Sequence, residues 1–186
     1  MQSRLSDLNE QNMTPEQARV VNDILSGPRG NLDGPFLAWV HSPVLADRAQ
    51  ALGAFCRYDT QLPLRLSELA ILVTAGQWQS QAEWQIHEPI ARSAGLSADI
   101  IDALKNGQRP DFEDTEAELI YLIGTELYET RRVSTALYEK GKDLFGEVAL
   151  VELVGIFGYY AFVAMTLNVF EVRRDTDVPL PFNEPI

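Results

Sequence analysis

A long apolar stretch at residues 147–170 limits the folds that this chain can adopt. A membrane-spanning helix needs about 20 nearly uncharged residues, whereas this stretch is interrupted by Glu152, Gly155, Gly158 and Asn168. We therefore interpret it as a helix buried inside the protein, with apolar positions on nearly all of its faces. Burial on several sides requires packing against other helices of the same chain or against a second copy of it.

Capping signals divide the rest of the chain into further helices. The sequence Thr-Pro-Glu-Gln at residues 14–17 matches a capping box with proline at the first helical position, and its helix should end near Gly27. Ser80 with Glu83 has the form of a second capping box, so another helix should begin there and run to about Ala94. Helical periodicity also marks residues 44–58, 64–77, 98–105, 116–130 and 133–145. In the first of these, the predicted core side consists of Leu45, Ala49, Leu52 and Phe55-Cys56.

The pattern predicts an all-α fold of about eight helices, because no stretch shows the sustained alternation of a half-buried strand. A chain of 186 residues with 46% hydrophobic content is most simply one domain with a substantial core. We expect that helical domain at residues 14–172. A flexible N-terminal arm at 1–13 should precede it, and an extended proline-rich tail at 173–186 should follow it.

Charge and cysteine content restrict the possible partners and location. A net charge of −12 argues against binding to nucleic acid or to an anionic membrane surface, since both require clustered Lys and Arg. The single cysteine, Cys56, cannot form an intramolecular disulfide, and the N-terminal residues contain no apolar run typical of a signal peptide. We therefore expect a cytoplasmic protein.

Three titratable residues lie at spacings that suit proton transfer. Glu83 and His87 are four residues apart, so their side chains share one face of the predicted helix. Glu68 stands near the start of the preceding helix, and two helices joined by a short break usually pack antiparallel, which would bring Glu68 close to His87. A carboxylate bonded to one ring nitrogen fixes the histidine tautomer and raises the basicity of the other nitrogen.

Each of these residues also has a structural interpretation. Glu83 would bond back to the Ser80 backbone in a capping box, and His87 would be a satisfied core residue. Trp84 would either pack in the core or form the wall of a small pocket. The pair Glu83 and His87 supplies only two metal ligands, and neither a zinc spacing nor a dinucleotide-binding motif is present. The sequence therefore leaves cofactor-free acid–base chemistry without a metal, or no chemistry.

The arrangement resembles the carboxymuconolactone decarboxylase family, which includes the alkylhydroperoxidase D-like proteins. The resemblance rests on a glutamate, then Glu-Trp-x-x-His, then Ala-Gly-Leu. It implies an all-α fold that assembles into trimers or hexamers. The matching stretches are LPLRLSELAILVTAGQWQSQAEWQIHEPIARSAGLS (62–97), VELVGIFGYYAFVAMTLNVFEV (151–172) and, more weakly, HSPVLADRAQALGAFCRYDT (41–60).

The resemblance also assigns roles to individual residues. In the alkylhydroperoxidase branch a glutamate and a histidine relay protons to a Cys-x-x-Cys pair, and Glu68 and His87 match that relay. The two cysteine positions fall on Ser80 and Glu83, and neither residue supplies the thiolate that peroxidase chemistry needs. The resemblance thus favours a lyase, with His87 as proton donor or acceptor, Glu68 as its orienting residue and Glu83 as a second acid–base group.

A small lactone or related organic acid is the expected substrate, and an anionic substrate needs a cation in its pocket. Ser80, Trp84, Arg57 and Arg65 are candidate pocket residues, and Arg92 is a further candidate cation. Two other hypotheses remain. One is a thiol-dependent peroxidase, and the other is a non-catalytic helical oligomer in which the polar residues form a buried network that fixes the helix pair.

Overall fold

A computed structural model of the protein describes residues 1–174 and 177–183. These residues form eight α-helices and one π-helical turn and contain no β-strand, so the predicted all-α class is confirmed. The helices are α1 (Pro15–Ser26), α2 (Phe36–Trp39), α3 (Pro43–Ala54), α4 (Leu64–Gln77), α5 (Gln81–Ser93), α6 (Ala98–Lys105), α7 (Thr115–Thr130) and α8 (Thr135–Val169), and the π-helical turn is Phe55–Asp59.

The first helix begins as its sequence predicts. The Thr14 hydroxyl accepts a hydrogen bond from the Gln17 amide at 3.2 Å, and the Thr14 amide donates to the Gln17 side chain at 2.9 Å. Both bonds of the capping box are therefore present. Gly27 ends α1, and the segment after it leads into the loop before α2.

Helix α4 lies at the centre of the fold. Its residues 66–75 are all buried, and it packs against α5, α7 and α8. A helix that is apolar on all sides is stable only when other helices surround it. The central position therefore belongs to α4, whereas the sequence pattern suggested the last helix.

Helix α8 is only partly surrounded. Leu153, Ile156 and Phe157 are buried, but Val148 and Val151 on another face are 55% and 73% exposed. A left-handed backbone conformation at Gly146 (φ 79°) separates its first turns from the apolar stretch, as the sequence predicts. The helix is long and apolar enough to cross a membrane by length and composition, and helices that pack in a protein core meet the same criteria.

The burial of α3 differs from the predicted pattern. Leu45, Leu52 and Phe55 are exposed, whereas the small residues Ala49 and Gly53 face the interior. The reason is a close helix approach, because a Cβ at Gly53 would overlap the Tyr159 hydroxyl of α8. Large side chains do not fit at this crossing, so the small-residue face turns inward and the large residues turn outward.

Both ends of the chain are attached to the helical domain, which differs from the expected flexible arm. Gln2 and Arg173 exchange two backbone hydrogen bonds of 2.9 Å, and Arg4 forms an ion pair with Glu171. In the tail, both backbone groups of Phe182 bond to the Gln81 side chain. Residues 175–176 and 184–186 of the predicted extended tail, with Pro185 among them, lie outside the described residues.

Candidate functional site

The turn between α4 and α5 brings the predicted site residues together. Gln79 takes a left-handed conformation (φ 47°), the Ser80 amide donates to the Ala75 carbonyl at 2.9 Å, and the Gln79 amide donates to Gly76 at 3.2 Å. These two bonds form a Schellman motif, which ends α4 with a sharp change of direction. Helix α5 consequently folds back along α4, and the start of α4 meets the later turns of α5.

The same turn prevents the capping box predicted for Ser80 and Glu83. In such a box the Glu83 carboxylate accepts a hydrogen bond from the Ser80 amide, but that amide already donates to Ala75. The Ser80 hydroxyl and both Glu83 carboxyl oxygens are buried without a hydrogen-bond partner. Glu83 therefore does not cap α5, and the interpretation of Glu83 as part of a capping box is wrong.

Glu68 and His87 form a buried hydrogen-bonded pair. The His87 Nδ1 lies 2.8 Å from the Glu68 Oε2, and the two residues are 4% and 1% exposed. Because an ionised carboxylate only accepts, Nδ1 carries a proton in this pair, and in the corresponding neutral tautomer of the ring the lone pair lies on Nε2. The ring also packs edge-to-face on Tyr160, with centroids 5.0 Å apart, so its orientation is fixed from two sides.

A cavity of about 80 Å³ lies against His87 and Glu83. It is much smaller than the ~300–1,000 Å³ of sites for drug-sized ligands, so only a small molecule or part of one fits. Four parts of the chain contribute to it, namely α5, α8, the π-helical turn and the loop before α2. The lining residues are Arg29, Asn31, Asp33, Gly34, Pro35, Arg57, Glu83, Ile86, His87, Tyr159, Tyr160, Val163 and Leu167.

Burial raises the pKa of Glu83 well above its usual value, and the neighbouring Ser80 hydroxyl opposes this shift only weakly. Desolvation dominates because neither carboxyl oxygen has a hydrogen bond of ordinary geometry to stabilise a negative charge. Glu83 thus stays a neutral carboxylic acid in a pH range where exposed glutamates are ionised. The cavity lining thus includes a carboxylic acid, Glu83, and the His87 ring, whose Nδ1 is bonded to Glu68.

Two tyrosines of α8 complete this side of the cavity. Burial raises the pKa of Tyr159 to about 12, although the nearby positive charge of Arg29 lowers it. Burial also raises the pKa of Tyr160 well above its usual value, and the negative charge of Glu68 adds to this effect. Both phenols therefore remain neutral and available as hydrogen-bond donors.

The candidate cations occupy different places. Arg57, on the π-helical turn, lines the cavity. Arg65 instead pairs with Asp114 at the start of α7, and Arg92 pairs with Glu88 and Asp102 on the surface. Of the three arginines considered from the sequence, the structure brings only Arg57 to the cavity.

Arg29 is a cavity residue that the sequence reasoning missed. Its Nε and Nη2 atoms are buried without a hydrogen-bond partner, and its guanidinium lies over the Phe36 ring at 4.9 Å from the centroid. A buried donor without a partner costs about 1–3 kcal/mol, and more for a charged group. The only signal in the sequence was position, since Arg29 begins a loop directly after a helix stop, and such loops often carry binding residues.

Trp84, Ser80 and Cys56 lie outside the cavity lining. Trp84 is fully buried, its indole N–H donates to Glu88 at 2.8 Å, and its ring packs edge-to-face on Phe182. Cys56 is buried, and desolvation raises its pKa to about 11, so its thiolate is disfavoured. Among residues 1–174 and 177–183, no group of three or more His, Cys, Asp or Glu is placed to hold a metal ion.

Comparison with known proteins identifies the fold. No family model matches the sequence, and no curated protein matches it. A crystal structure described as an alkylhydroperoxidase AhpD core, an uncharacterized peroxidase-related protein from Ralstonia eutropha JMP134, superposes with a TM-score of 0.75. It shares 15% sequence identity, and the match covers 93% of this chain and 92% of that chain. The likeness extends over nearly the whole of both chains and establishes an alkylhydroperoxidase D-like fold.

Proposed function

From an alkylhydroperoxidase D-like fold with a cavity beside a Glu–His pair, we propose that the protein is a cofactor-free acid–base enzyme of the carboxymuconolactone decarboxylase type. Its substrate is a small lactone or related carboxylate. One observation carries the proposal: the Glu68–His87 hydrogen bond of 2.8 Å borders the same small cavity as the unpaired acid Glu83. A buried acid placed near a histidine whose tautomer is fixed by a carboxylate is a general form of acid–base site.

In this proposal His87 accepts a proton through Nε2. The hydrogen bond from Nδ1–H to Glu68 holds the tautomer and stabilises the imidazolium that forms after transfer. A shift of a double bond moves a proton from one carbon to another; His87 takes it from the first carbon, and the imidazolium returns it to the second. Glu68 is a positioning residue because it acts through the ring of His87.

Glu83 supplies the proton that replaces the departing carboxylate. When a decarboxylation breaks the bond to the carboxylate carbon, CO₂ leaves and the electron pair moves into a conjugated carbonyl group. The neutral Glu83 acid then donates a proton to the resulting enolate, which forms the product, and water restores that proton. Donors placed in a desolvated cavity stabilise such charge more strongly than donors in water.

A thiol peroxidase is one alternative, because the structure with the similar fold is described as a peroxidase-related protein. Such chemistry requires a reactive thiolate, and this chain has one cysteine. Burial and the raised pKa of Cys56 both disfavour the thiolate. A non-catalytic buried network is the other alternative, and the cavity beside His87 argues against it.

Self-association into a trimer or hexamer remains a prediction, as does the cytoplasmic location. The exposed valines Val148 and Val151 of α8 adjoin Leu52 and Phe55 around an open, almost wholly apolar groove of about 540 Å³. Contiguous apolar surface of this kind typically marks an interface. A second copy of this chain is the proposed occupant, and light scattering after size-exclusion chromatography measures the subunit number.

The experiment that tests the function is a turnover screen of small lactone carboxylates, read as CO₂ release. His87→Ala and Glu68→Gln should each abolish turnover of any substrate found. The matched control is His41→Ala, which removes the other histidine, a half-buried residue outside the cavity lining. Full turnover by both site variants would refute the assignment. Peroxide consumption with a dithiol that Cys56→Ser abolishes would instead support the peroxidase alternative.

A further inference from the structure

The unpaired atoms of Arg29 have a geometry suited to one class of ligand. Nε and Nη2 form one edge of the planar guanidinium, with two parallel N–H groups. Both atoms are buried without a partner, while the face of the same group is covered by Phe36. A carboxylate matches this edge with two parallel hydrogen bonds. Buried polar groups nearly always have partners, so this free edge calls for a specific explanation.

The surroundings of Arg29 provide no hydrogen-bond acceptor for this edge. Gly53 provides the necessary space, since a Cβ there would lie 2.6 Å from Arg29 Nη2 and would overlap the Tyr159 hydroxyl. The side chain thus lies next to a neutral phenol, which is a further donor for an anion. Asp33 also lines the cavity but is exposed and forms no hydrogen bond with either free nitrogen atom.

The charge of the cavity contrasts with that of the whole protein. The chain has a net charge of −12, yet Arg29 and Arg57 both line this small space. Elsewhere arginines pair with acidic side chains, as Arg109 does with Glu118. The two acids on the cavity lining are Asp33, which is exposed, and Glu83, for which burial favours the uncharged form.

We propose that Arg29 is the anchor for a carboxylate group of a small organic anion, which it holds through Nε and Nη2 with the Tyr159 hydroxyl as an additional donor; in a decarboxylation this is a second carboxylate and not the one that leaves as CO₂. Arg29 is then the specificity-determining residue of the site, and Arg57 supplies a second positive charge on the wall. This inference rests on the proposed function for its reaction, because the anchor orients the reacting carbon toward His87 and Glu83. The small cavity restricts the substrate to a compact molecule.

The test is a ligand-observed NMR titration of the full chain with formate, acetate and propionate, and with propionamide as the uncharged isostere of propionate. The wild type should bind at least one of the three anions, and propionate more tightly than propionamide. Arg29→Met removes the charge but keeps much of the side-chain length, and it should weaken anion binding about 10- to 100-fold. Arg29→Lys keeps the charge without the two-pronged edge and should recover part of this loss.

Three further variants separate the possible outcomes. Arg48→Met removes an exposed arginine outside the cavity lining and should leave binding unchanged. His87→Ala should retain anion binding even though it abolishes turnover. Anion binding and turnover therefore test the Arg29 proposal and the proposed function separately. The proposal is overturned if no anion binds the wild type, if Arg29→Met binds within twofold of it, or if Arg57→Met alone accounts for the entire loss.

A measurement on the unmodified chain covers the case in which Arg29→Met does not fold. A ¹H–¹⁵N NMR spectrum of the ¹⁵N-labelled chain reports on the arginine Nε–H groups without needing access for a reagent. Propionate should shift the Nε–H signal of Arg29 and leave that of the exposed Arg48 unchanged. An Arg29 signal that does not move at saturating propionate would overturn the proposal.

Discussion

Replacement of Glu83 by glutamine should stabilise the protein, and the gain should grow with pH. Burial raises the pKa of the folded-state carboxyl above its ordinary value of 4.5. Between these two pKa values the unfolded chain has released the proton and the folded chain still binds it. Stability is therefore lost as the pH rises through this interval, by about 1.4 kcal/mol for each pH unit. Glutamine has nearly the same volume and does not ionise, so it removes the loss.

Urea unfolding of the wild type and Glu83→Gln at pH 5, 6, 7 and 8 measures this effect. With a urea m-value of about 1–3 kcal/mol/M, the difference in midpoint should grow by about 0.5–1.4 M per pH unit until the folded-state pKa is reached. Glu113→Gln, at an exposed position, is the matched control and should follow the wild type. Repeating the comparison in a His87→Ala background removes the histidine that lines the same cavity, so that the effect of Glu83 is measured without it. Equal pH dependence of the wild type and Glu83→Gln would refute the desolvated-acid interpretation.

Three further predictions concern other parts of the molecule. Gly53→Ala should destabilise the protein by about 1–3 kcal/mol in urea unfolding, because its Cβ would overlap the Tyr159 hydroxyl; a loss below 0.5 kcal/mol would show that the helices separate easily. Cys56 should react with a thiol reagent at pH 8 only after unfolding, because it is buried with a pKa raised to about 11; rapid reaction of the folded protein would contradict this. Val151→Lys should reduce the subunit number in light scattering, since this 73% exposed side chain lies on the apolar groove, and an unchanged assembly would exclude that surface as the interface.

The helices themselves were largely predictable because their signals are local. The capping box of Thr14 and Gln17 needs only four consecutive residues, and the predicted bounds of α4 and α6 agree with the structure. The side of α3 that faces the core was only partly predictable in this way. Ala49 and Cys56 are buried as predicted, but Leu45, Leu52 and Phe55 are exposed. Gly53 faces inward against Tyr159, which lies more than a hundred residues away in the sequence.

At the candidate site, too, features set by local sequence were predictable and features set by tertiary contacts were not. The proximity of Glu68 and His87 follows from helix spacing and a short turn, both of which can be identified in the sequence. The state of Glu83 could not be identified, because a Schellman motif at the end of α4 occupies the backbone amide that a capping box would use. Arg29 was missed for a related reason, since a loop residue carries no periodicity to predict its position or its lack of partners.

Deuterium incorporation into small lactones and carboxylates in D₂O tests proton transfer at this site most directly, because it detects exchange at carbon even when no CO₂ is released. Mass spectrometry of the recovered compounds gives the rate for the wild type, His87→Ala, Glu68→Gln and the control His41→Ala. If His87 transfers protons, the wild type and His41→Ala should incorporate deuterium into at least one compound, and both site variants should fall to the uncatalysed rate. Equal incorporation with His87→Ala and the wild type would contradict an acid–base role for this site.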